Sequence, residues 1–308
     1  LMKAVTEKLL KVVSNFKGKL WEKSAYSVRE DGGCAAIHST QHTHITPKPD
    51  GGGLDITVDE GTQGETVYIP ACITHGGVDE VVYNDFHIGK NADITICAGC
   101  GVHVEGEEGS RHSGIHRFFL AEGAKVHYIE KHAGEGQGEG KKVLDPQTWF
   151  ELGEGSLLEM DTTQLGGVDR TCRITKGKVG KDARLLVRER LLTEKDQQAD
   201  SQFEVDLEGE NSGCDLVSRA VAKDHSHQDF SSLIRGFAPC TGHTACDALL
   251  MGQGTVDAAP RLAARCEDAS LIHEAAIGKI AGEQLWKLQT LGLTREEAEE
   301  RLVAGFLK

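Results

Sequence analysis

Aromatic side chains are scarce in this 308-residue chain, at 5% of the residues, whereas glycine is abundant, with 37 copies. Thick layers of packed helices use many large side chains, so this composition does not favour them. Glycine permits tight turns because it has no Cβ atom. The composition therefore favours an architecture of many short elements that are joined by turns.

Positive charge is also in deficit, because 34 Lys and Arg stand against 48 Asp and Glu, for a net charge of −14. Phosphate contacts need clustered Lys and Arg, so we expect no nucleic-acid partner. No apolar run approaches the ~20 residues of a membrane span, and residues 1–20 lack the pattern of a signal peptide. The nine cysteines are odd in number and scattered, which favours a reducing, cytoplasmic location.

Short apolar or alternating runs follow one another from about residue 25 to residue 272, and each run is broken by Gly, Asn or Asp. Examples are LDITV (54–58), DITIC (93–97), KVHYI (125–129) and RLLVR (184–188). These runs are too short for helices and rich in residues that favour strands. The chain is therefore predicted to be mainly β.

A weak internal repeat runs through these segments and consists of an apolar residue, a turn that contains glycine, and a strand. Its glycines lie at positions 89, 123, 155, 180 and 209, at spacings of 34, 32, 25 and 29 residues. Periods of this size are typical of solenoids, and short strands without intervening helices predict a parallel β-helix. A left-handed hexapeptide helix is disfavoured, since no strict six-residue period is present. A two-sheet sandwich stays open, because periodicity does not fix the connectivity.

Helical patterns occupy both ends of the sequence. Residues 3–16 combine lysines with apolar residues at helical spacing, which predicts an amphipathic helix. Near the other end, residues 282–291 carry leucines on one face and stop at Gly292. Thr294 and Glu297 then have the spacing of a capping box, which predicts the start of a second helix. Such closing helices would cap an open solenoid end, dock a partner, or do both.

A first candidate metal site lies around the pair Cys97 and Cys100, which is followed by His103, His112 and His116. Thiolates and imidazoles are the ligands that zinc and iron–sulfur clusters favour. Cys100 and His103 fall at a turn and are the better ligand candidates. If DITIC is a strand, Cys97 is instead a small apolar residue that points into the solenoid.

A second candidate is the adjacent pair His273 and Glu274. Neighbouring residues of a strand point to opposite faces, so both cannot contact one ligand without a bulge or bend. On the residues alone, this pair is predicted to be exposed on the surface and to have no functional role.

The stretch 246–306 nevertheless carries a series of motifs that is far more specific than any single one. The motifs are CDALLMG (246–252), Pro260, IHEA (272–275), GKIAGEQL (278–285), GLTREEA (292–298) and GF (305–306). In this order and with almost no gaps, they resemble the C-terminal end of the SufB/SufD family, the scaffold proteins of the Suf iron–sulfur cluster assembly machinery. The resemblance implies a right-handed parallel β-helix.

The resemblance also implies roles for particular residues at a transient iron–sulfur cluster. His273 would be a ligand, and Glu274 would be a second ligand or would hold the imidazole tautomer. SufB-type chains carry a cysteine at the position that Thr255 occupies in an ungapped count, and threonine is a poor iron ligand. Either this chain is not a cluster-bearing subunit, or another thiol serves. Cys246, in the family-like CDALL run, is such a thiol, although it could equally be a buried core residue.

The partners that the resemblance implies are a SufC-type ABC ATPase, docked on the C-terminal helices, and a second scaffold subunit. The second subunit would be another copy of this chain or the other member of a SufB/SufD-type heterodimer. The chain itself would catalyse nothing. Two other classes stay open: an enzyme on a β-helix that acts on carbohydrate or acyl substrates, and a structural β-solenoid that forms filaments. The predicted organisation is an N-terminal helix and linker (1–24), a β-helix core (25–276) and a C-terminal helical segment (277–308).

Overall fold

Twenty β-strands and three α-helices form the structure, a computed structural model that describes residues 3–17, 21, 23–280 and 282–308. The helices are α1 (Ala4–Ser14), α2 (Gly282–Thr290) and α3 (Arg295–Phe306). The strands are β1 (Ala25–Glu30), β2 (Gly33–His38), β3 (Thr43–Pro47), β4 (Gly53–Val58), β5 (Gln63–Ile73), β6 (Asp79–Ile88), β7 (Asp93–His103), β8 (Ser110–Leu120), β9 (Lys125–Glu135), β10 (Lys142–Leu144), β11 (Gln147–Leu152), β12 (Leu157–Leu165), β13 (Arg170–Val179), β14 (Arg184–Thr193), β15 (Gln198–Leu207), β16 (Ser212–Ala222), β17 (His227–Gly236), β18 (Cys240–Leu250), β19 (Thr255–Ala264) and β20 (Ala269–Lys279). Residues 1–2, 18–20 and 22 of the predicted N-terminal segment, and residue 281 of the C-terminal one, lie outside the described residues.

The strands form two ten-stranded sheets, and successive coils of the chain add to each sheet in turn. Sheet A has the order β2-β1-β5-β7-β9-β12-β14-β16-β18-β20, and sheet B runs β19-β17-β15-β13-β10-β8-β6-β4-β3, with β11 between β8 and β13. From β5 onward every pair in sheet A is parallel, as are the corresponding pairs of sheet B. The prediction of a parallel β-helix is confirmed. A sandwich of antiparallel sheets is excluded by this pairing.

The corners of the coils repeat a single backbone conformation. Asn91, Gly123, Gly155, Asp182 and Asn211 all have positive φ angles, between 55° and 67°. Asn, Asp and Gly tolerate this left-handed conformation better than other residues. The equivalent positions therefore recur every 27 to 32 residues, which is more regular than the glycine spacing of the sequence suggests. Three of those five glycines are displaced by two residues from the true corner.

Apolar side chains on the inner faces of the two sheets form the core. Phe86 and Phe118 occupy matching positions on neighbouring strands and stack with ring centroids 4.6 Å apart. Tyr128 of sheet A meets the Phe118 ring edge-on at 5.0 Å. All three side chains are fully buried. This packing joins the sheets at the coils that also hold the polar interior described below.

Helix α1 packs on the outer face of sheet A. Leu9 and Leu10 are fully buried there, in a cluster with Val28 and Cys72. Gly101 of β7 makes room for the helix, since a Cβ atom at this position would lie 2.9 Å from the Leu9 side chain. The predicted amphipathic N-terminal helix is thus present, and its apolar face is buried against the solenoid.

The C-terminal end of the solenoid is open. Strands β19 and β20 are the last of their sheets, and their inward-facing Leu262 and Ile277 are 38% and 41% exposed. Within α2 no residue is buried, and within α3 only Ala298 is. The closing helices therefore do not cap this end, contrary to one expectation from the sequence. The predicted capping box is confirmed by the two hydrogen bonds between Thr294 and Glu297.

No helix within residues 3–17, 21, 23–280 and 282–308 has the length and apolar character that crossing a membrane would require.

Candidate functional site

Cys97 and Cys100 lie on opposite faces of strand β7, because side chains alternate along a strand and the two residues are three positions apart. Cys100 is 2% exposed and lines an interior cavity. Cys97 is half-buried and paired in register with Tyr68. His103 shares the outer face with Cys97, and its Nε2 atom lies 3.2 Å from Glu105 Oε1. The structure therefore does not bring the three predicted ligands together, and one metal ion cannot contact both cysteines.

Polar side chains surround the cavity that Cys100 lines, which has a volume of about 230 Å³. Its lining includes the buried residues Asn84, His112, His116, Glu130 and His132. The sequence marks His112 and His116 only as neighbours of the cysteine pair, and Asn84, Glu130 and His132 were not among the predicted site residues. A polar residue at an inward position of an otherwise apolar strand, as in KVHYIEKH, is the signal that could have found them.

A buried ion pair between Glu130 and Arg173 lies beside this cavity. The two side chains are 3% and 6% exposed and joined by a hydrogen bond. Burial alone would raise the pKa of the Glu130 carboxyl, but Arg173 and His132 outweigh it and hold that pKa well below its usual range. Tyr128 donates a further hydrogen bond to Glu130 Oε1 at 2.9 Å. Glu130 is therefore an anion inside the solenoid.

The polar groups continue through the interior towards Cys246. Arg173 Nε lies 3.5 Å from Glu189 Oε1. Glu189 accepts hydrogen bonds from Ser201 at 2.8 Å and from Ser218 at 2.6 Å. Burial, and to a smaller extent the Glu189 charge, raises the pKa of the Cys246 thiol to about 12. The thiol is thus protonated at neutral pH.

Cys246 and His273 lie on the same, inward face of the last coil. Strands β18 and β20 are neighbours in sheet A, where His273 is opposite Thr244 and Ala275 is opposite Cys246. Parallel neighbours are about 4.8 Å apart, so the two side chains are diagonal neighbours. In the part of the chain that the structure describes, the buried Nδ1 atom of His273 has no hydrogen-bond partner. The two residues are placed so that both could contact one group at the open end.

Glu274 points to the outer face, as the alternation of a strand requires. Its side chain is 71% exposed, and its Oε2 atom lies 3.5 Å from His243 Nε2. The other ring nitrogen of His243 is 2.7 Å from Asp215 Oδ1, and this contact raises the pKa of the imidazole. Strand β20 therefore separates Glu274 from Cys246 and His273. The sequence did not reveal this ladder of three side chains, because its members come from three different coils.

Thr255, at the position where the resemblance implied a cysteine, begins the edge strand β19 and is exposed. Its Oγ1 atom lies 2.8 Å from His227 Nδ1. This position is on the opposite sheet from Cys246 and His273. The thiol nearest to the candidate ligand His273 in register is thus that of Cys246.

The parallel pairing of the coils defines a β-solenoid protein that has buried polar groups beside its apolar core. Residues 79–306 match the family model described as "SUF system FeS cluster assembly, SufBD core domain". The chain is 30% identical, over 249 residues, to an iron-sulfur cluster assembly SufBD family protein of Archaeoglobus fulgidus, a match that covers 80% of this chain and 66% of that protein. It is also 30% identical over 267 residues to a SufBD family protein of Methanothermobacter thermautotrophicus, with 83% and 62% covered. This chain therefore belongs to the SufBD family of iron–sulfur cluster assembly proteins.

The matched regions are only part of these relatives, since the chain spans about two thirds of the length of the two proteins. A shorter SufBD family protein of Methanocaldococcus jannaschii is 27% identical over 249 residues, with 76% of this chain and 74% of that protein covered.

Proposed function

We propose that this protein is a scaffold on which an iron–sulfur cluster is assembled at the last coil, with Cys246 and His273 as ligands. The cluster is cargo and does not stay with the protein. One observation carries the assignment of the ligands: Cys246 and His273 lie at diagonal positions on the inward faces of neighbouring strands. Glu274 lies on the other face, so an interior cluster would not contact it without a rearrangement of β20.

The residues fit the chemistry of such a cargo. Cluster iron takes thiolate sulfur and, in some clusters, imidazole nitrogen. The unpartnered Nδ1 atom of His273 offers a lone pair when the ring is neutral and its proton is on Nε2. Because burial raises the pKa of Cys246 to about 12, its thiol resists adventitious oxidation until iron displaces the proton. The scaffold holds and orients the cargo and need not catalyse a reaction.

The open end of the solenoid supports a dimer. Two sheet edges, β19 and β20, end there, and the inward side chains of the last coil are half-exposed. An edge strand with unpaired backbone groups is a ready surface for another chain. A second copy, or a related SufBD chain, would cover this end and place the two Cys246–His273 sites near the interface.

The C-terminal helices support a further partner, an ABC ATPase of the SufC type. Trp286 of α2 and Leu291, which follows that helix, are 74% and 80% exposed. Large apolar side chains that are this exposed are more typical of a docking surface than of a surface that contacts only solvent. The ATPase would supply the conformational work that the scaffold cannot. We propose that this assembly works in the cytoplasm and that neither nucleic acid nor a membrane is among its partners.

Anaerobic reconstitution with iron and sulfide tests the ligand assignment. The wild-type chain should become brown and retain iron after desalting. Cys246→Ala and His273→Ala should each lose most of the visible absorption and of the bound iron. Cys266→Ala and Glu274→Ala are the matched controls, since one removes a nearby thiol and the other a neighbouring carboxylate. A colourless wild-type protein, or equal loss in the two controls, would contradict the proposal.

Light scattering tests the dimer. The wild-type chain should have about twice its monomer mass of 33.3 kDa. Ile277→Asp, which puts a charge on the open inner face, should shift the mass towards the monomer, because an unpaired charge is costly at a buried interface. Leu165→Asp is the control, since Leu165 is exposed elsewhere on the surface. A monomeric wild type would exclude the dimer, and concentration-dependent polymers would favour a filament.

A further inference from the structure

The interior cavity that Cys100 lines exists because small side chains stack beside one another in the first coils. Four residues at matching positions of β1, β5, β7 and β9 line it from sheet A, namely Arg29, Ala71, Cys100 and His132. From sheet B, Gly114 of β8 lines it opposite Val82 of β6. The small members of these rows leave room for the cavity, which has a volume of about 230 Å³.

The cavity reaches the surface at the N-terminal end of the solenoid. Cys34 of β2 and Gly51, which precedes β4, are exposed and are also part of its lining. A small molecule can therefore enter without the unfolding of a coil. A cavity of about 150 Å³ holds a benzene molecule, so the larger volume here accommodates about ten non-hydrogen atoms.

A chain of hydrogen bonds leads from Glu130 into the cavity wall, and its direction follows from the anionic end. Glu130 is ionised and can only accept, so the Tyr128 hydroxyl donates its one proton to Glu130 Oε1 at 2.9 Å. His116 Nδ1 lies 2.8 Å from the same hydroxyl and must therefore donate to it. Burial lowers the pKa of His116 to about 4, so the ring is neutral and its Nε2 atom carries no proton.

This chain fixes the orientation of the Asn84 amide. Because His116 Nε2 can only accept, the amide atom 3.3 Å from it is the nitrogen Nδ2, and the oxygen Oδ1 is turned away. Asn84 lines the cavity and is 6% exposed, and in the part of the chain that the structure describes its Oδ1 atom has no hydrogen-bond partner. Buried polar atoms are nearly always paired, so this oxygen indicates that the occupant of the cavity donates a hydrogen bond.

His112 adds a second acceptor to the same wall. Its Nδ1 atom lies 2.8 Å from Glu80 Oε1 and donates to it, so the neutral ring has its lone pair on Nε2. A Cβ atom on Gly114 would lie 3.4 Å from this Nε2 atom. The glycine therefore leaves space for a donor group beside the imidazole.

The ion pairs beside the cavity are complete. Arg29 Nε lies 2.7 Å from Glu80 Oε2, and Arg173 is paired with Glu130. An occupant with a net charge would be buried without a countercharge, which is costly. Apolar side chains complete the lining, among them Leu54, Ile69 and Val82. The lining is therefore complementary to a neutral molecule that is partly apolar.

We propose that this cavity binds a neutral organic molecule of about ten non-hydrogen atoms that carries an NH2 group of the amide or aminoheterocycle type. The NH2 group donates to Asn84 Oδ1, and His112 Nε2 is the second acceptor in the same wall. The apolar part of the molecule contacts the apolar lining. The site lies several coils from Cys246 and His273, and it does not depend on the cluster site proposed there.

Benzamide is the probe, because it combines an NH2 donor with an apolar ring of suitable size. Methyl benzoate is the matched comparator, since it is similar in size and has no N–H donor. Saturation-transfer NMR on the whole chain measures both affinities. We expect benzamide to bind with a Kd of about 1 mM or below, and methyl benzoate to bind about fivefold more weakly or worse.

Two variants test the residues. Asn84→Leu removes the acceptor, and Gly114→Ala fills the space beside His112 while it keeps every polar partner of the cavity. Each should weaken benzamide binding about fivefold or more. Gln202→Leu is the control, since it removes an amide on the outer face of sheet B, where Gln202 Nε2 donates to Asp200. This control should bind benzamide like the wild type.

Circular dichroism verifies that each variant is folded. The proposal is overturned if the wild type does not bind benzamide at about 10 mM, which would leave water as the occupant of the cavity. It is equally overturned if methyl benzoate binds as tightly as benzamide, or if a folded Asn84→Leu or Gly114→Ala variant binds benzamide like the wild type.

Discussion

Replacing Arg173 by methionine should lower the free energy of unfolding by about 3–5 kcal/mol, because it leaves the Glu130 carboxylate buried without its countercharge. Arg173 is buried and also contacts Glu189 and His132, so no water can replace the guanidinium at low cost. Urea unfolding followed by circular dichroism measures the loss. Adding Glu130→Gln to the variant should recover part of the stability, since the unpaired charge is then gone.

The loss should depend on pH in a defined direction. In the wild type the pKa of Glu130 is held well below its usual range, so its contribution is present at neutral pH and is lost only as the pH falls through the folded-state pKa. Without Arg173, burial should raise this pKa above the unfolded value of about 4.3. The carboxyl then destabilises the fold at neutral pH, and protonation relieves it. The difference between variant and wild type should therefore shrink from pH 7 towards pH 4.

Arg235→Met is the matched control for Arg173→Met. Arg235 also contacts two carboxylates, Glu204 at 2.7 Å and Asp206 at 2.5 Å, but its side chain is 29% exposed on the outer surface. Surface ion pairs contribute about 0–1 kcal/mol, so this variant should be near wild type. Equal losses at Arg173 and Arg235, or a loss at Arg173 that does not change with pH, would contradict the assignment of a buried charge at Glu130.

Phe118→Ala should also destabilise the solenoid by about 3–5 kcal/mol, because it removes a ring from a closed core. Phe118 is fully buried between Phe86 and Tyr128, and no neighbouring side chain can fill the space without leaving its own contacts. The urea midpoint should fall, and the transition should broaden if the coils on the two sides unfold separately, as repeat proteins can.

The adjacent residue is the control. Phe119 points to the outer face, is half-buried and stacks on His87, at 5.0 Å. Phe119→Ala should cost markedly less than Phe118→Ala, although the two substitutions delete the same atoms. A similar midpoint for both variants would mean that the assignment of inner and outer faces along β8 is wrong.

Local features of the fold followed from the sequence because they depend on neighbouring residues. The strands, the N-terminal helix and the Thr294 capping box arise from patterns within a few positions, and each is confirmed. The repeat was recognised, but its register was inexact. The glycine spacing marks the turn at Gly89, whereas Asn91 occupies the left-handed position, because Asn can adopt this conformation as glycine does.

The sites depended on facts that no local pattern contains. The spacing of Cys97 and Cys100 predicts a pair of ligands. Both residues lie on strand β7, however, where side chains three positions apart point to opposite faces. Conversely, Cys246 and His273 are 27 positions apart in the sequence and share a face only because one coil returns beside the other. The meeting of Glu130 with Arg173 has the same origin, across the two sheets.

By itself the sequence determined the class of fold, the family resemblance and the chemical types available, since turn residues, strand lengths and motif order are local properties. Only the tertiary structure decided which side chains meet. The length of each coil sets which residues stack, and this length varies between 27 and 32 residues in ways that a single sequence does not reveal. A shift of one residue would reverse inner and outer faces, because side chains alternate along every strand.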